Sequence, residues 1–266
     1  MCDTSAMPLI LPFAAILFYT AGFYRCWQQH QAIGKNRSYL IFALAALIAH
    51  AWVCYQLLVT PTGINLSLIC VSNLVAWVLV CVVTIGNLRL PAANLYLLVL
   101  PIAVVAVVFA TIADRRVAPV ESIDTTLLLH ILISLAAYSA LMMAAVQSIL
   151  LALQERQLKS PGRPSNRILP PLETMERLLV MMLWVGLILL SASILSGYFF
   201  LDNIFQRQVL HHIVLTTLSW AVYVFFLGGR HLFGWRGLTA VRWTLVAFSL
   251  LVLGYLGSKF VMEYLI

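Results

Sequence analysis

Charge is what this sequence has least of. Of its 266 residues, 63% are hydrophobic and 9% are charged, against about 25% charged in an ordinary soluble domain. Mean hydropathy is +0.99. This excludes a soluble globular chain and predicts an all-α integral membrane protein. Acids are scarcer than bases, nine against sixteen. All nine (Asp3, Asp114, Glu121, Asp124, Glu155, Glu173, Glu176, Asp202 and Glu263) lie outside the middle of any apolar run. Ion pumps and cation transporters place carboxylates at membrane depth, where they replace water around the ion, so this lack argues against that class. The five cysteines, Cys2, Cys26, Cys54, Cys70 and Cys81, form no CxxC pair. They read as small hydrophobes, with no disulfide framework and no thiol redox chemistry expected. There is no Walker loop, no GxGxxG and no HExxH, and scattered serines in apolar helices usually bond their own backbone. These absences leave no handle for catalysis, and the chain reads as a non-enzyme.

What is present is a series of apolar runs. A span needs about 20 such residues, and eight runs qualify: 7–24, 38–59, 65–86, 90–112, 126–153, 178–200, 209–228 and 239–264. Only Asp3 is charged ahead of the first, so it lacks the basic flank of a cleaved signal and is expected to span. Polar or turn-forming stretches such as "TPTG", "ADRRVAP", "KSPGRPSNR" and "GGRHLFGWRG" separate the runs. No internal repeat and no soluble domain are visible, so residues 1–266 read as one polytopic domain. Residues 154–177 read as a basic loop on the cytoplasmic side. They end in an interfacial turn, "ILPPLETMERLL", with Glu173, Glu176 and Arg177 kept wet.

Orientation follows from lysine and arginine. Twelve of the sixteen fall after the first, third, fifth and seventh runs and four on the other side, which predicts both termini on the outer, periplasmic face. The net charge of +7 is then a topological signal, not a nucleic-acid one. His130, His211 and His212 fall near the outer face, and His50 falls near mid-membrane.

Histidine carries the sharpest signal. His130 opens the fifth run, and Ser134 and Tyr138 follow at four-residue steps, on one stripe of a helix. The residue reads either as an interfacial histidine with a wet tip or as an axial metal ligand, because neutral imidazole ligates haem iron and a hydroxyl can fix its second nitrogen. His211 or His212 is the candidate second ligand. Arg115, Arg116 and Arg207, the outer-loop cations, are candidates to meet haem propionates. Arg115 and Arg116 also read as a solvated pair beside Asp114. His50, with Cys54 one turn on, reads as an in-membrane ligand or as a structural histidine. Trp184, Trp220, Trp235 and Trp243 are expected to anchor and pack.

Four stretches together, "LLHILISLAAYSALMMAAVQSILLALQERQLK", "LPPLETMERLL", "LSWAVYVFFLGGR" and "GWRGLTAVRWTLVAFSLLVLGYLG", resemble the cytochrome c assembly membrane proteins, the CcsA/CcmC/HemX-like family, in its YpjD branch. The resemblance covers roughly 38–264. It implies a bacterial inner-membrane location and, for the larger relatives, haem delivery for attachment to c-type cytochromes. His130 matches an outer-face haem ligand of that family, with Tyr138 also in place. The family's outer tryptophan-rich segment is missing: "LDNIFQRQVLHHIVLTTL" holds no tryptophan. Gly228 stands where relatives carry a histidine, with His231 a turn later.

The reading that follows is a haem-binding or haem-handling protein of the cytochrome c biogenesis type. Haem b is the cofactor, His130 the iron ligand, and His211, His212, His50, Tyr138, Arg115, Arg116 and Arg207 the further site candidates. Its partners are the lipid bilayer and another membrane protein, with no nucleic acid. Two alternatives stand beside it. One is a non-haem scaffold or regulatory partner of a membrane protein such as a metal transporter. The other is a small-solute or cation transporter.

Overall fold

The computed structural model describes residues 10–31, 38–60, 63–89, 93–112, 125–159, 170–200 and 207–257. Among them, eight helices are long and apolar enough to cross a membrane. They are α1 (Ile10–Gln31), α2 (Ser38–Leu58), α3 (Leu68–Arg89), α4 (Tyr96–Ile112), α5 (Thr125–Leu158), α6 (Leu172–Phe200), α7 (Arg207–Phe233) and α8 (Leu238–Val252). A π-helical turn, Leu253–Gly257, continues α8.

Each expected run contains a helix, and the differences lie at the ends. α5 continues past 153 to Leu158 because Gln154, Glu155, Arg156 and Gln157 are good helix formers once the chain leaves lipid. α6 begins at Leu172 instead of 178. Pro170 and Pro171 precede it, Pro171 carbonyl accepts from Met175 N at 3.2 Å, and "LETMERLL" forms its first two turns rather than an interfacial turn. Glu173 and Arg177 are exposed there, as expected, but Glu176 is not wet. It turns inward, accepting from Gly237 N at 2.8 Å and lying 3.9 Å from Arg230. Between α2 and α3, β1 (Val59–Thr60) pairs antiparallel with β2 (Gly63–Ile64). Ser67 Oγ then caps α3 by accepting from Cys70 N at 3.4 Å.

The chain divides into two compact units, Met1–Ser122 and Ile123–Ile266. In unit 1, α1 packs on α2 and α4, and α3 lies against α2 and α4. The buried face of α1 is Pro12, Ala15, Tyr19, Gly22 and Cys26, at steps of three and four. Its other side presents Phe13, Leu17 and Tyr24 outward. Large apolar side chains outside and small or polar ones inside is the arrangement of helices packed in lipid, where the tails are as apolar as leucine and association rests on close contact and polar bonds.

In unit 2, α5 lies between α6 and α8, and α7 packs on α8 and α6. Gly186 on α6 lets α5 approach closely: a Cβ there would overlap the Leu141 side chain. At the α7–α8 turn, Gly234 and Gly237 take φ of 69° and 57°, a backbone that L side chains rarely adopt. That turn is pinned by the Glu176–Gly237 bond and by Arg230 Nη1, which donates to Trp235 O at 3.2 Å. Trp235 and Trp243 stack with centroids 6.0 Å apart.

Candidate functional site

The two units each hold a histidine among helices, in opposite states of satisfaction. In unit 1, His50 on α2 is fully buried. Asn73 Oδ1, which can only accept, lies 3.1 Å from Nε2. Nε2 therefore carries the proton, and Nδ1 accepts from Tyr19 Oη at 2.9 Å. The other end of the amide closes the set, with Asn73 Nδ2 donating to Cys54 Sγ at 3.4 Å. Both imidazole nitrogens are spoken for and no face of the ring is open. His50 is thus placed as a packing element that ties α1, α2 and α3 together, and an axial bond to a metal would have to break one of these contacts. Cys54 belongs to the same network. Among the described residues no group of three His, Cys, Asp or Glu gathers to hold a metal ion.

In unit 2, His130 on α5 is half-buried. Its Nδ1 lies 2.9 Å from Ser196 Oγ on α6. The Ser196 hydroxyl hydrogen is already used, donated to Ser193 O at 2.9 Å, so Ser196 Oγ accepts and Nδ1 carries the proton. The Ser193 carbonyl is a second acceptor at the same edge. The remaining nitrogen, Nε2, keeps its lone pair free of any hydrogen bond among the described residues. Below the ring, Ser134 Oγ donates to His130 O at 2.7 Å and meets Ser193 Oγ at 2.6 Å. The ring lies over Gly197: a Cβ there would come within 3.1 Å of Cε1. Sequence reading placed Ser134 below His130 but missed Ser193, Ser196 and Gly197. The signal available was "SASILSG", a run of small residues on a spanning helix, which marks a face built for close approach.

His212 on α7 joins this site. It lies within electrostatic range of His130, and its ring contacts Tyr255 at 5.9 Å between centroids. Tyr255 in turn packs on Tyr138, one helical stripe below His130, at 5.4 Å. The π-helical turn after α8 delivers Tyr255 between the two helices; such turns recur at functional sites. Gly254 in the same turn is the hydrogen-bonding neighbour of the His212 ring, while His212 Nδ1 is buried without a partner. The Tyr138 hydroxyl faces Thr216 but completes no hydrogen bond. His211 is exposed on the other side of α7. Of the adjacent pair, His212 is therefore the one that turns toward His130. Arg207 begins α7, but its side chain, like Arg115 and Arg116 altogether, lies outside the described residues.

The arrangement offers one oriented imidazole with an open nitrogen, a second with an unpartnered nitrogen, and aromatic rings between them. An orphaned buried polar atom is costly. The open Nε2 of His130, held in place by Ser196 on the other nitrogen, could hold a metal centre, with His212 near it.

The family model for cytochrome C assembly protein matches residues 38–266. The chain is 30% identical over 233 residues to the inner membrane protein YpjD of Escherichia coli strain K12, covering 86% of this chain and 88% of that one. It is 35% identical over 181 residues to a 28.8 kDa protein of Azospirillum brasilense, covering 64% and 65%. It is 29% identical over 161 residues to protein HemX of Brevibacillus brevis, covering 58% of each chain. No solved structure matches.

Proposed function

The chain belongs to the cytochrome c assembly protein family, and from that premise we propose that unit 2 binds and handles haem in the bacterial inner membrane, with both termini on the outer side. The observation that carries this reading is the His130–Ser196 bond. It fixes the imidazole as the Nδ1–H tautomer and leaves Nε2 as a lone pair. A hydroxyl or carbonyl on the far nitrogen is the usual means of orienting a ligating histidine and raising its basicity. Bound haem would supply an iron centre that accepts neutral imidazole. In this chain His130 and His212 would hold it, with the Tyr138 and Tyr255 rings as walls. Arg115, Arg116 and Arg207 would be the cations for its propionates. The role is binding and transfer, not catalysis, and it implies a membrane-protein partner that receives the haem.

A second reading has one observation in its favour. Residues 201–218 carry no tryptophan, so the outer platform of the larger relatives is missing. The chain would then be a non-haem scaffold that keeps the fold and holds another membrane protein. An absorbance titration of the purified full-length protein with hemin separates the two. The haem reading expects a Soret band that saturates near one equivalent and is lost in His130→Ala. A colourless protein, or a band indifferent to His130→Ala and His212→Ala, would overturn it in favour of the scaffold.

A further inference from the structure

Buried hydroxyls in spanning helices ordinarily have an easy partner. They fold back on the carbonyl three or four residues earlier, as Thr84 does on Val80 O at 2.7 Å, Ser139 on Leu135 O at 2.8 Å and Ser148 on Ala145 O at 2.8 Å. Thr216 and Thr244 do not. Their hydroxyls are buried and complete no such bond among the described residues, although the Tyr138 hydroxyl lies beside Thr216. Tyr223 is fully buried, and its hydroxyl is likewise unpartnered.

These groups are not scattered. His212, Thr216, Ser219 and Tyr223 recur on α7 at steps of four, three and four, so they form one stripe. Ser219 Oγ donates to Ala247 O of α8 at 2.7 Å. At the other end, a Cβ on Gly254 would lie 3.5 Å from Thr216 Oγ1 and 3.6 Å from His212 O. These two contacts set an antiparallel register that puts Thr244, three residues before Ala247, level with Tyr223, four after Ser219. From α5, Tyr138 Oη faces Thr216. Five unpartnered polar atoms (His212 Nδ1, Tyr138 Oη, Thr216 Oγ1, Tyr223 Oη and Thr244 Oγ1) thus follow one line between α7 and its neighbours. The line begins at half-buried His212 and stops at Phe226 and Leu227, which are buried and apolar. The eleven residues from His212 to Tyr223 rise roughly 16 Å, about half the hydrocarbon core.

We infer that unit 2 holds a file of ordered water molecules along this stripe, entering beside His212 and closed at Phe226. Water is the ligand these atoms fit. Each hydroxyl both donates and accepts, the imidazole nitrogen accepts or donates according to tautomer, and the protein neighbours two of them have, Thr216 beside Tyr138 and Gly254 beside the His212 ring, leave hydrogen-bonding capacity unmet. Buried waters take two to four such partners and persist because the groups they serve are costly to leave unmet. The file gives His212 a hydrogen-bonded connection into the membrane interior, the material of a proton path to that imidazole. The inference does not depend on haem.

Radiolytic hydroxyl-radical labelling of the full chain in lipid nanodiscs tests it, because radicals generated from bound water oxidise the side chains that touch that water. Tyr19, Tyr96 and Tyr223 are each 0% exposed, but Tyr19 and Tyr96 are hydrogen-bonded to protein. Tyr223 is expected to be oxidised about fivefold faster than either, or more. Thr244→Val is expected to bring its rate down toward theirs, while leaving Tyr138 labelled. Tyr223 as protected as Tyr19 and Tyr96 in the wild-type protein would overturn the inference. So would a Tyr223 rate unchanged by Thr244→Val.

Discussion

His50 and His130 sit in the same kind of sequence, an apolar helix with a hydroxyl or thiol one turn on, and the structure gives them opposite uses. His50 is enclosed, with an acceptor on one nitrogen and a donor on the other. His130 is half-buried, held by one nitrogen only. A doubly bonded buried imidazole is a structural joint, and its loss leaves two unmet partners. A singly bonded one at the edge of a helix pair is oriented but not consumed, as the proposed ligand role needs. The same contrast runs through the hydroxyls. In unit 1, Tyr39 accepts from Asn87 at 2.8 Å and Tyr96 donates to Thr84 at 2.9 Å. In unit 2, Tyr138 and Tyr223 are left open.

The comparison can be broken most forcefully at His50. His50→Ala removes the imidazole and leaves Tyr19 Oη and Asn73 Oδ1 buried without partners, which is expected to cost about 3 kcal/mol, read as a large drop in thermal midpoint in detergent. His130→Ala should leave that midpoint nearly unchanged. If both fell equally, the distinction between joint and ligand would be lost. Ser196→Ala sharpens the other side. It frees the His130 ring without removing it, and hemin affinity is expected to fall about tenfold with the fold intact. Gly197→Ala places a methyl 3.1 Å from His130 Cε1. The ring must turn off its serine, and a loss of a few-fold in hemin affinity is expected, about 1 kcal/mol. A change of similar size is Tyr39→Phe in unit 1, which leaves Asn87 Nδ2 one bond short and is expected to lower stability by about 1 kcal/mol. His211→Ala should change neither stability nor hemin binding, since that side chain faces away from the site. A hemin titration in which His211→Ala matched His212→Ala would remove the reason for preferring His212.

Much of the architecture was legible because hydropathy is a one-dimensional quantity. Leu68–Arg89 and Tyr96–Ile112 are apolar over enough length to span whatever their neighbours do. The stripe of His130, Ser134 and Tyr138 was legible too, because helical periodicity fixes which side chains share a face. The partners were not. Ser196 is 66 residues from His130, Asn73 is 23 from His50, and Tyr19 is 31 from it. Nothing in a single chain states which of several serines on an apolar helix will face which histidine. A water-soluble helix betrays its inner face by its apolar stripe, but a spanning helix is apolar all round, and that clue disappears. For the same reason, Glu176 read as wet from its place in a charged segment, and only the return of the α7–α8 turn onto α6 buried it.

The sequence by itself determined that this protein lives in a bilayer, how many times its helices can cross it, and which residues carry a chemical handle. Those follow from transfer free energy and helical geometry, both local to the chain. Only the tertiary structure decided that His50 is used up and His130 is not, that His212 rather than His211 turns to join it, and that the buried hydroxyls of Thr216 and Tyr223 on α7 complete no hydrogen bond among the described residues. A hydrogen bond needs two groups within about 3 Å, and in helices packed through lipid that meeting depends on the rotation and register of whole elements, which no local pattern records.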